Sequence, residues 1–328
     1  MKYVFSGVKI PNEVNDFRGG KTILDIREKI VKLKKEKKAI ILAHYYQRDD
    51  VQEIADYVGD SFYLAQVGKE SDAEIIVFCG VRFMAESAKI ISPDKTVLFP
   101  CYTEAPCCME YMATPEEILQ YKEKYPEVKV VTYVNSSSDV KTVSDVCCTS
   151  SSVENIINNL DSEEILFVPD KNLASYVQEQ VLNKKIIPWD GCCNIHDAVK
   201  VSDIESAIDE NGKDLVIAAH PECKKNVRDM AHYVGSTSGI LNYVKKSSSK
   251  RFLIVTEKGI SHQLKKYNPD KEFFFLPMLC KAMKKVFPET ILESLETMNG
   301  EIILDDETVT KAAKALNNML LFSKPRGE

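Results

Sequence analysis

Three cysteines at nearly equal intervals constrain the fold of this 328-residue chain more than any other feature. Cys107 and Cys193 lie 86 residues apart, and Cys193 and Cys280 lie 87 residues apart. Each of them closes a segment in which strand-like and helix-like patterns follow in the same order, which indicates a threefold internal repeat. Three related units, each delivering one thiol, could bring these side chains together at one point.

The predicted strands of each segment are short, continuous apolar runs, such as residues 39–43, 128–134 and 252–256. Such runs, alternating with helical patterns, are typical of parallel sheets that helices cover on both faces. We therefore predict an α/β fold of three pseudo-threefold-related α/β/α three-layer domains, with short parallel sheets and the active site at the central axis. The predicted domains are residues 20–107, 108–193 and 194–328, the last with two C-terminal helices.

Charge and composition argue against two kinds of partner. The formal net charge is −6 and the pI is about 5.6, so the chain has no strong positive field for nucleic acid. No apolar run reaches membrane-spanning length, and residues 1–10 lack the pattern of a signal peptide. We expect a cytoplasmic protein with neither nucleic acid nor membrane as partner. Its ten cysteines should then be thiols or metal ligands rather than disulfides.

Polar side chains stand where the first strand of each repeat ends. A single histidine after an apolar strand is more often a packing residue, but equivalent positions in three repeats favour a shared site. Ligands of open parallel sheets bind beyond the carboxyl ends of the strands. The residues are His44 and Tyr46 in the first repeat, Tyr133 and Asn135 in the second, and His220 and Glu222 in the third.

Each repeat then has a polar turn before a further helical pattern. Residues 51–58 and 224–233 are predicted helices that lead to this turn in the first and third repeats. Ser61, Ser150 and Thr237 occupy matching places in the turns, where we predict that they act as N-caps. Three converging helix N-termini would suit a substrate with several anionic groups, such as phosphate and carboxylates.

The three evenly spaced cysteines all follow the last strand of their repeat. Three thiolates fit an iron–sulfur cluster with one open iron, and they equally fit a zinc site in which His196 is the fourth ligand. The spacing does not choose between these two interpretations.

A dense series of motifs resembles the quinolinate synthase family of de novo NAD biosynthesis, from about His44 to the C-terminal helix. The series is LAHYYQ (42–47), ADYVGDS (55–61), FCGVRFMAESAK (78–89), TYVNSS (132–137), SDVCCTSS (144–151), FVPDKNL, WDGCCNIH, AAHPEC, VGSTSGI, VTEKGI and LCKAMKK. Each motif is weak alone, whereas all of them in this order are specific.

The resemblance implies three domains around a central axis and a 4Fe–4S cluster held by three cysteines, with the fourth iron open. It also implies an enzyme that condenses iminoaspartate with dihydroxyacetone phosphate to give quinolinate, phosphate and water, the open iron acting as Lewis acid. A functional link to L-aspartate oxidase belongs to the same expectation.

Carried over to this chain, the family's cluster ligands fall on Cys107, Cys193 and Cys280. Its catalytic tyrosine and glutamate fall on Tyr46 and Glu222, and we add His44 and His220 as candidates for proton transfer. The family's substrate-binding positions fall on His44, Ser61, Tyr133, Val134, Asn135, Ser150, His220, Pro221, Glu222 and Thr237.

One departure from the family concerns the first cysteine. Pro106 stands where the family usually has glycine, so that Cys108 becomes an alternative ligand to Cys107. A different interpretation is a zinc- or iron–sulfur-stabilised binding or sensor protein of the same fold. Such a protein would have a coordinatively complete site and no need for polar groups at three strand ends.

Overall fold

The computed structural model describes residues 23–101, 103 and 105–324. Within them, each repeat contains four strands that pair in parallel and form one sheet, with helices between the strands. The predicted α/β fold of three repeated α/β/α units is therefore confirmed. The domain limits stay a prediction, and residues 20–22 and 325–328 of the outer two domains lie outside the described residues.

The strands follow the same order in all three sheets, with the second strand at one edge, then the first, the third and the fourth. The strands are β1 Ala39–His44, β2 Tyr57–Gly59, β3 Ile75–Cys79 and β4 Thr96–Leu98; β5 Lys129–Tyr133, β6 Val146–Cys148, β7 Glu164–Val168 and β8 Lys185–Pro188; and β9 Val216–Ala219, β10 Tyr233–Val234, β11 Arg251–Val255 and β12 Glu272–Phe275.

The helices also recur in the same places. They are α1 Ile23–Glu36, α2 Asp49–Ile54, α3 Ser61–Glu70 and α4 Arg82–Ile91; α5 Pro115–Lys124, α6 Ser138–Thr142, α7 Val153–Asn159 and α8 Lys171–Gln180; α9 Val201–Asn211, α10 Lys225–Arg228, α11 Thr237–Lys246 and α12 Ser261–Tyr267; and finally α13 Pro288–Thr297 and α14 Asp306–Phe322. Short 3₁₀ turns lie at Cys108–Tyr111, Lys258–Ile260 and Ala282–Lys284.

The central strands form the core of each unit because their side chains are apolar on both faces. In the first sheet Ile41 is in register with Val77, and Leu42 with Phe78, and these side chains are almost fully buried. Burying one such side chain stabilises the fold by about 1.5–3 kcal/mol relative to exposure. The continuous apolar runs of the sequence correspond to this two-sided burial.

Sequence patterns missed the second strand of every repeat, although they indicated the fourth strand at the opposite edge of each sheet. The predicted helix over 51–58 ends at Ile54, and β2 follows; the predicted helix over 224–233 ends at Arg228, before β10. These strands have only two or three residues, too few to show an alternation of apolar and polar positions. The predicted helices before β2 and β10 were therefore extended over them. The helix α9, which leads into the third repeat, also went unrecognised.

The two last helices pack on the earlier repeats rather than on the third. Helix α13 contacts α1, and α14 contacts α4 of the first repeat together with α6, β6 and α7 of the second. Polar contacts reinforce this seam, since Lys69 donates to Asn317 at 3.0 Å and Asn318 donates to the carbonyl of Asp145 at 2.9 Å. Helix α14 thus ties the first two repeats to each other.

Candidate active site

The three repeats surround one cavity of about 410 Å³ at the carboxyl ends of their strands. The cavity walls include the three evenly spaced cysteines and most of the polar residues that the sequence singled out. These are Cys107, Cys193 and Cys280, with His44, Tyr46, Ser61, Tyr133, Asn135, Ser150, His220, Glu222 and Thr237. Val134 and Pro221 are buried beside the cavity and do not line it.

The turns reach the cavity, but the capping roles predicted for Ser61 and Thr237 are wrong. Asp60 caps α3 by accepting the N–H of Tyr63 at 3.0 Å, and Ser236 caps α11 by accepting the N–H of Gly239 at 3.1 Å. The cap lies one residue earlier than the sequence suggested. Ser61 and Thr237 are consequently the first helical residues, and both line the cavity.

The second repeat differs again, because α7 begins later. Its N-cap position is Ser152, whose hydroxyl accepts the N–H of Thr149 at 3.0 Å instead of capping the helix. Ser150 lies in the turn before it and lines the cavity. The three hydroxyl residues predicted from the repeat therefore converge, although none of them caps its helix.

Glu222 lies at the centre of a buried polar cluster. Its Oε2 is 2.7 Å from His196 Nδ1 and 3.7 Å from His220 Nδ1, and it accepts a hydrogen bond from the Tyr133 hydroxyl. Burial alone would raise the pKa of Glu222, but His196, His220 and this hydrogen bond together lower it to about 2. Glu222 is therefore an ionised carboxylate although its side chain is buried.

A chain of hydrogen bonds connects Glu222 to Tyr46 across the repeats. Tyr46 Oη lies 2.7 Å from Thr256 Oγ1, which lies 2.9 Å from His196 Nε2. With Glu222 ionised, one proton arrangement that satisfies the chain has Tyr46 donating to Thr256, Thr256 to His196 Nε2, and His196 Nδ1 to Glu222.

Burial and the negative charge of Glu222 raise the pKa of Tyr46 well above its usual value, which keeps this phenol a donor. The hydroxyl of Thr237, 2.8 Å away, completes the partners of Tyr46. Sequence reasoning missed Thr256 and considered His196 only as a zinc ligand. The one available signal was their position in the VTEKGI and WDGCCNIH motifs.

His44 and His220 occupy equivalent places and have the same local geometry. In each, Nδ1 accepts the backbone N–H two residues later, from Tyr46 at 3.1 Å and from Glu222 at 3.4 Å. Burial lowers the pKa of both imidazoles to about 3, with the Lys284 ammonium contributing at His44. Both rings are therefore neutral near pH 7, with the proton on Nε2, so they donate hydrogen bonds without carrying charge.

The cysteines meet the chemical requirement for a metal centre. Burial raises the pKa of Cys193 and of Cys280, and nearby Glu222 and Glu257 raise them further. At Cys193 and Cys280 a thiolate therefore needs a bound cation, because burial and a nearby carboxylate both disfavour its charge. Donor atoms of Cys193, His196 and Glu222 also lie within 4.8 Å of one another, close enough to share a metal ion.

The first repeat presents two thiols instead of one. Cys107 and Cys108 both line the cavity, and the Cys108 thiol is 3.3 Å from the side-chain oxygen of Asn194. Cys107 has an extended backbone with φ of −72°. Pro106 has no positive φ, so its place in the loop does not need the conformational freedom of glycine. A hydrogen bond from Cys107 lowers the pKa of Cys108 to about 6. The choice of ligand between the two stays a prediction.

Similarity to known proteins covers nearly the whole chain. The family described as "Quinolinate synthetase A protein" matches residues 28–321. A quinolinate synthase of Clostridium novyi is 54% identical over 296 residues, 90% of this chain and 98% of that protein. Those of Clostridioides difficile and Caldicellulosiruptor saccharolyticus are 48% and 46% identical, over 90% and 91% of this chain and 97% and 98% of theirs.

These matches confirm the resemblance seen in the motifs and argue against a protein that only binds or senses. In the part of the chain that the structure describes, no helix has the length and apolarity needed to span a membrane. The threefold fold, the shared cavity and the extent of identity agree with one another. The chain belongs to the quinolinate synthetase A family and is an enzyme of NAD biosynthesis.

Proposed function

We propose that this enzyme condenses iminoaspartate with dihydroxyacetone phosphate to form quinolinate, phosphate and water, with a 4Fe–4S cluster bound by Cys107, Cys193 and Cys280. One observation carries the proposal: a cysteine from each of the three repeats lines the same cavity as Glu222 and Tyr46. Three ligands would leave one iron of the cluster free for substrate, where it would supply Lewis-acid chemistry.

The cavity has groups suited to two anionic substrates. The first turns of α3 and α11 reach it at Ser61 and Thr237, and N–H groups there are not all used within the helix. Lys281 adds a positive charge to the wall. Neutral His44 and His220 would donate to carboxylate or carbonyl oxygens without a net charge.

Proton transfers that accompany loss of water are assigned to the residues of the hydrogen-bonded chain. Glu222 is ionised and would accept a proton from the substrate carbon or nitrogen beside it. Tyr46 would donate to a departing oxygen, and the hydroxyls of Thr237 and Thr256, 2.8 and 2.7 Å away, would then turn to donate hydrogen bonds to the phenolate. Val134 and Pro221 would act only by shaping the backbone.

The experiment is an anaerobic assay of the iron-loaded protein with iminoaspartate generated in place and dihydroxyacetone phosphate, with quinolinate as the readout. We expect quinolinate and phosphate in equal amounts. Protein with a full cluster that makes no quinolinate would contradict the proposal. L-aspartate oxidase, as a source of iminoaspartate, should replace the chemically generated substrate in the same assay.

The proximity of Cys193, His196 and Glu222 favours a second candidate, a single zinc ion at these three residues. The two metal centres differ in colour and in metal content. An iron–sulfur protein prepared without oxygen is brown with broad absorption near ~400 nm, whereas a zinc protein is colourless. Metal analysis of the anaerobically prepared protein therefore separates the two candidates before any assay.

A further inference from the structure

Each of the three proposed cluster cysteines donates its backbone N–H to a buried carboxylate. Asp170 and Glu257 lie in the FVPDKNL and VTEKGI motifs and Glu110 lies in none, and the proposed chemistry gives no role to any of the three. The pairs are Cys107 N with Glu110 Oε1 at 2.6 Å, Cys193 N with Asp170 Oδ2 at 3.0 Å, and Cys280 N with Glu257 Oε1 at 3.1 Å.

Every one of these carboxylates also binds the start of the helix or turn that follows the third strand of its repeat. Asp170 Oδ1 accepts the N–H of Leu173 at 2.8 Å, and Glu257 Oε2 accepts the N–H of Gly259 at 2.6 Å. Glu110 makes the corresponding bond to the N–H of Phe83, in the first turn of α4. The carboxylate thus bridges the cysteine loop to a fixed point of the fold.

The first repeat has the same contact, although the residue at the equivalent sequence position has no side-chain acceptor. Asp170 and Glu257 both lie two residues after the third strand of their repeat, at the ends of β7 and β11. The same place in the first repeat is Val81, which has no acceptor, and there Glu110 reaches back from the turn after Cys107. Two different sequence positions therefore produce one contact.

Burial makes the contacts costly to lose. Asp170 is fully buried, Glu257 is 1% exposed and Glu110 is 8% exposed. A carboxylate held away from water is strongly unfavourable unless it accepts hydrogen bonds. The loop before Cys193 is also closely packed on this anchor, since a side chain at Gly191 would collide with the carbonyl oxygen of Pro169.

We propose that Glu110, Asp170 and Glu257 are positioning residues that fix the backbones of the three cysteines, so that their sulfur atoms converge on one cluster. This inference rests on the proposed assignment of Cys107, Cys193 and Cys280 as ligands. Groups that orient metal ligands typically change metal affinity 10- to 100-fold when they are removed. The three bridges act before any substrate binds, so their loss should affect retention of the cluster itself.

The test measures how fast iron leaves the anaerobically reconstituted full-length protein in the presence of a chelator. Asp170→Ala should release iron about 10-fold faster than the unaltered protein. Asp170→Asn keeps the shape of the side chain but offers a single oxygen acceptor for two N–H groups. Its rate of iron release should therefore lie between those of the unaltered protein and of Asp170→Ala. This second variant keeps the test valid if the alanine variant does not fold.

Asp145→Ala is the matched control in the same repeat. Asp145 Oδ2 accepts one backbone N–H, that of Val130 at 2.9 Å, but it lies where β6 begins, at the end of the sheet away from the cavity. Its loss should lower thermal stability while leaving the rate of iron release and the electron paramagnetic resonance spectrum of the reduced cluster unchanged.

Equal release rates for Asp170→Ala, Asp170→Asn and Asp145→Ala would overturn the positioning role. An unaltered protein that takes up no iron–sulfur cluster would instead overturn the proposed ligand assignment, so the two failures are distinguishable. Glu257→Ala and Glu110→Ala should repeat the result of Asp170→Ala in the other two repeats.

Discussion

The first repeat and the other two reach the same arrangement around a cysteine by different means. In the second and third repeats the loop is held by a carboxylate placed just after the third strand, Asp170 or Glu257. In the first repeat that place is apolar, and Glu110 supplies the contact from the turn that follows Cys107. The comparison teaches that the position of an acceptor in space is retained while its position in the sequence is not.

The largest expected effect is loss of iron, and it tests whether the second cysteine of the pair in the second repeat and the first cysteine of the pair in the first repeat are the ligands. Cys107→Ser and Cys193→Ser should each lose nearly all of the iron, because these are the residues whose backbone is held by a carboxylate. Cys108→Ser and Cys192→Ser are the controls and should keep it. The measurement is iron and sulfide per protein after anaerobic reconstitution. Iron lost from Cys108→Ser and kept in Cys107→Ser would reverse the assignment.

The next effect compares equivalent strand ends of the third and second repeats. Glu222→Gln should reduce kcat by about 100-fold or more, because the proposed general base is removed from the cavity. Asn135→Ala, at the matching place in the second repeat, should raise KM and change kcat much less. Steady-state kinetics of variants with matched iron content measure both. Equal losses of kcat would mean that the two strand ends do not differ in role.

A smaller effect concerns the hydrogen-bonded chain through the third repeat. Thr256→Val should reduce kcat by about 10-fold with little change in KM, because Tyr46 would lose its link to His196. Thr132→Val in the second repeat is the control, since Thr132 is also fully buried and its hydroxyl bonds Ser144 at 2.6 Å. A similar fall in kcat for both variants would indicate a general packing effect.

The smallest effect is the contribution that one buried histidine in the first repeat and one in the third make to the dependence of stability on pH. The folded-state pKa of His44 and of His220 is about 3, below the unfolded value of about 6.5. Between these values the unfolded state binds more protons, so stability rises with pH and is fully present above about pH 6.5. Each histidine should contribute a slope of up to about 1.4 kcal/mol per pH unit.

Denaturant unfolding of the metal-free protein between pH 5 and pH 7 measures this slope. His44→Gln should lower the slope of stability against pH by the contribution of one histidine. Tyr133→Phe in the second repeat should leave the slope unchanged. An unaltered slope in His44→Gln would show that this imidazole is already protonated in the folded state.

Much of this arrangement could be predicted from the sequence, because repetition and burial leave strong patterns. The continuous apolar runs gave the central strands, and polar residues such as His44 and Glu222 at their ends indicated the cavity. The second strand of each repeat was missed because strands as short as β10 have no period of their own. Their neighbours in space, which a single sequence does not record, decide their conformation.

Contacts between distant segments were the other gap. The bond from Thr256 to Tyr46 joins residues of different repeats, and nothing in either local pattern indicates the partner. The cap positions Asp60 and Ser236 were displaced by one residue because serine, threonine and aspartate are adjacent in these turns and all can cap. Glu110 had no counterpart in the other repeats that would have pointed to it.

Helix α14 has a consequence for the order of events during synthesis. Residues 306–322 cover the seam between the first two repeats, and the ribosome makes them only after both repeats. Cys280 likewise emerges after the thiols with which it shares the cavity. Since domains fold from the N-terminus as they emerge, the nascent protein passes through a stage with an open seam and an incomplete set of thiols. Assembly of the proposed iron–sulfur cluster is therefore expected after translation of the third repeat rather than during translation of the first.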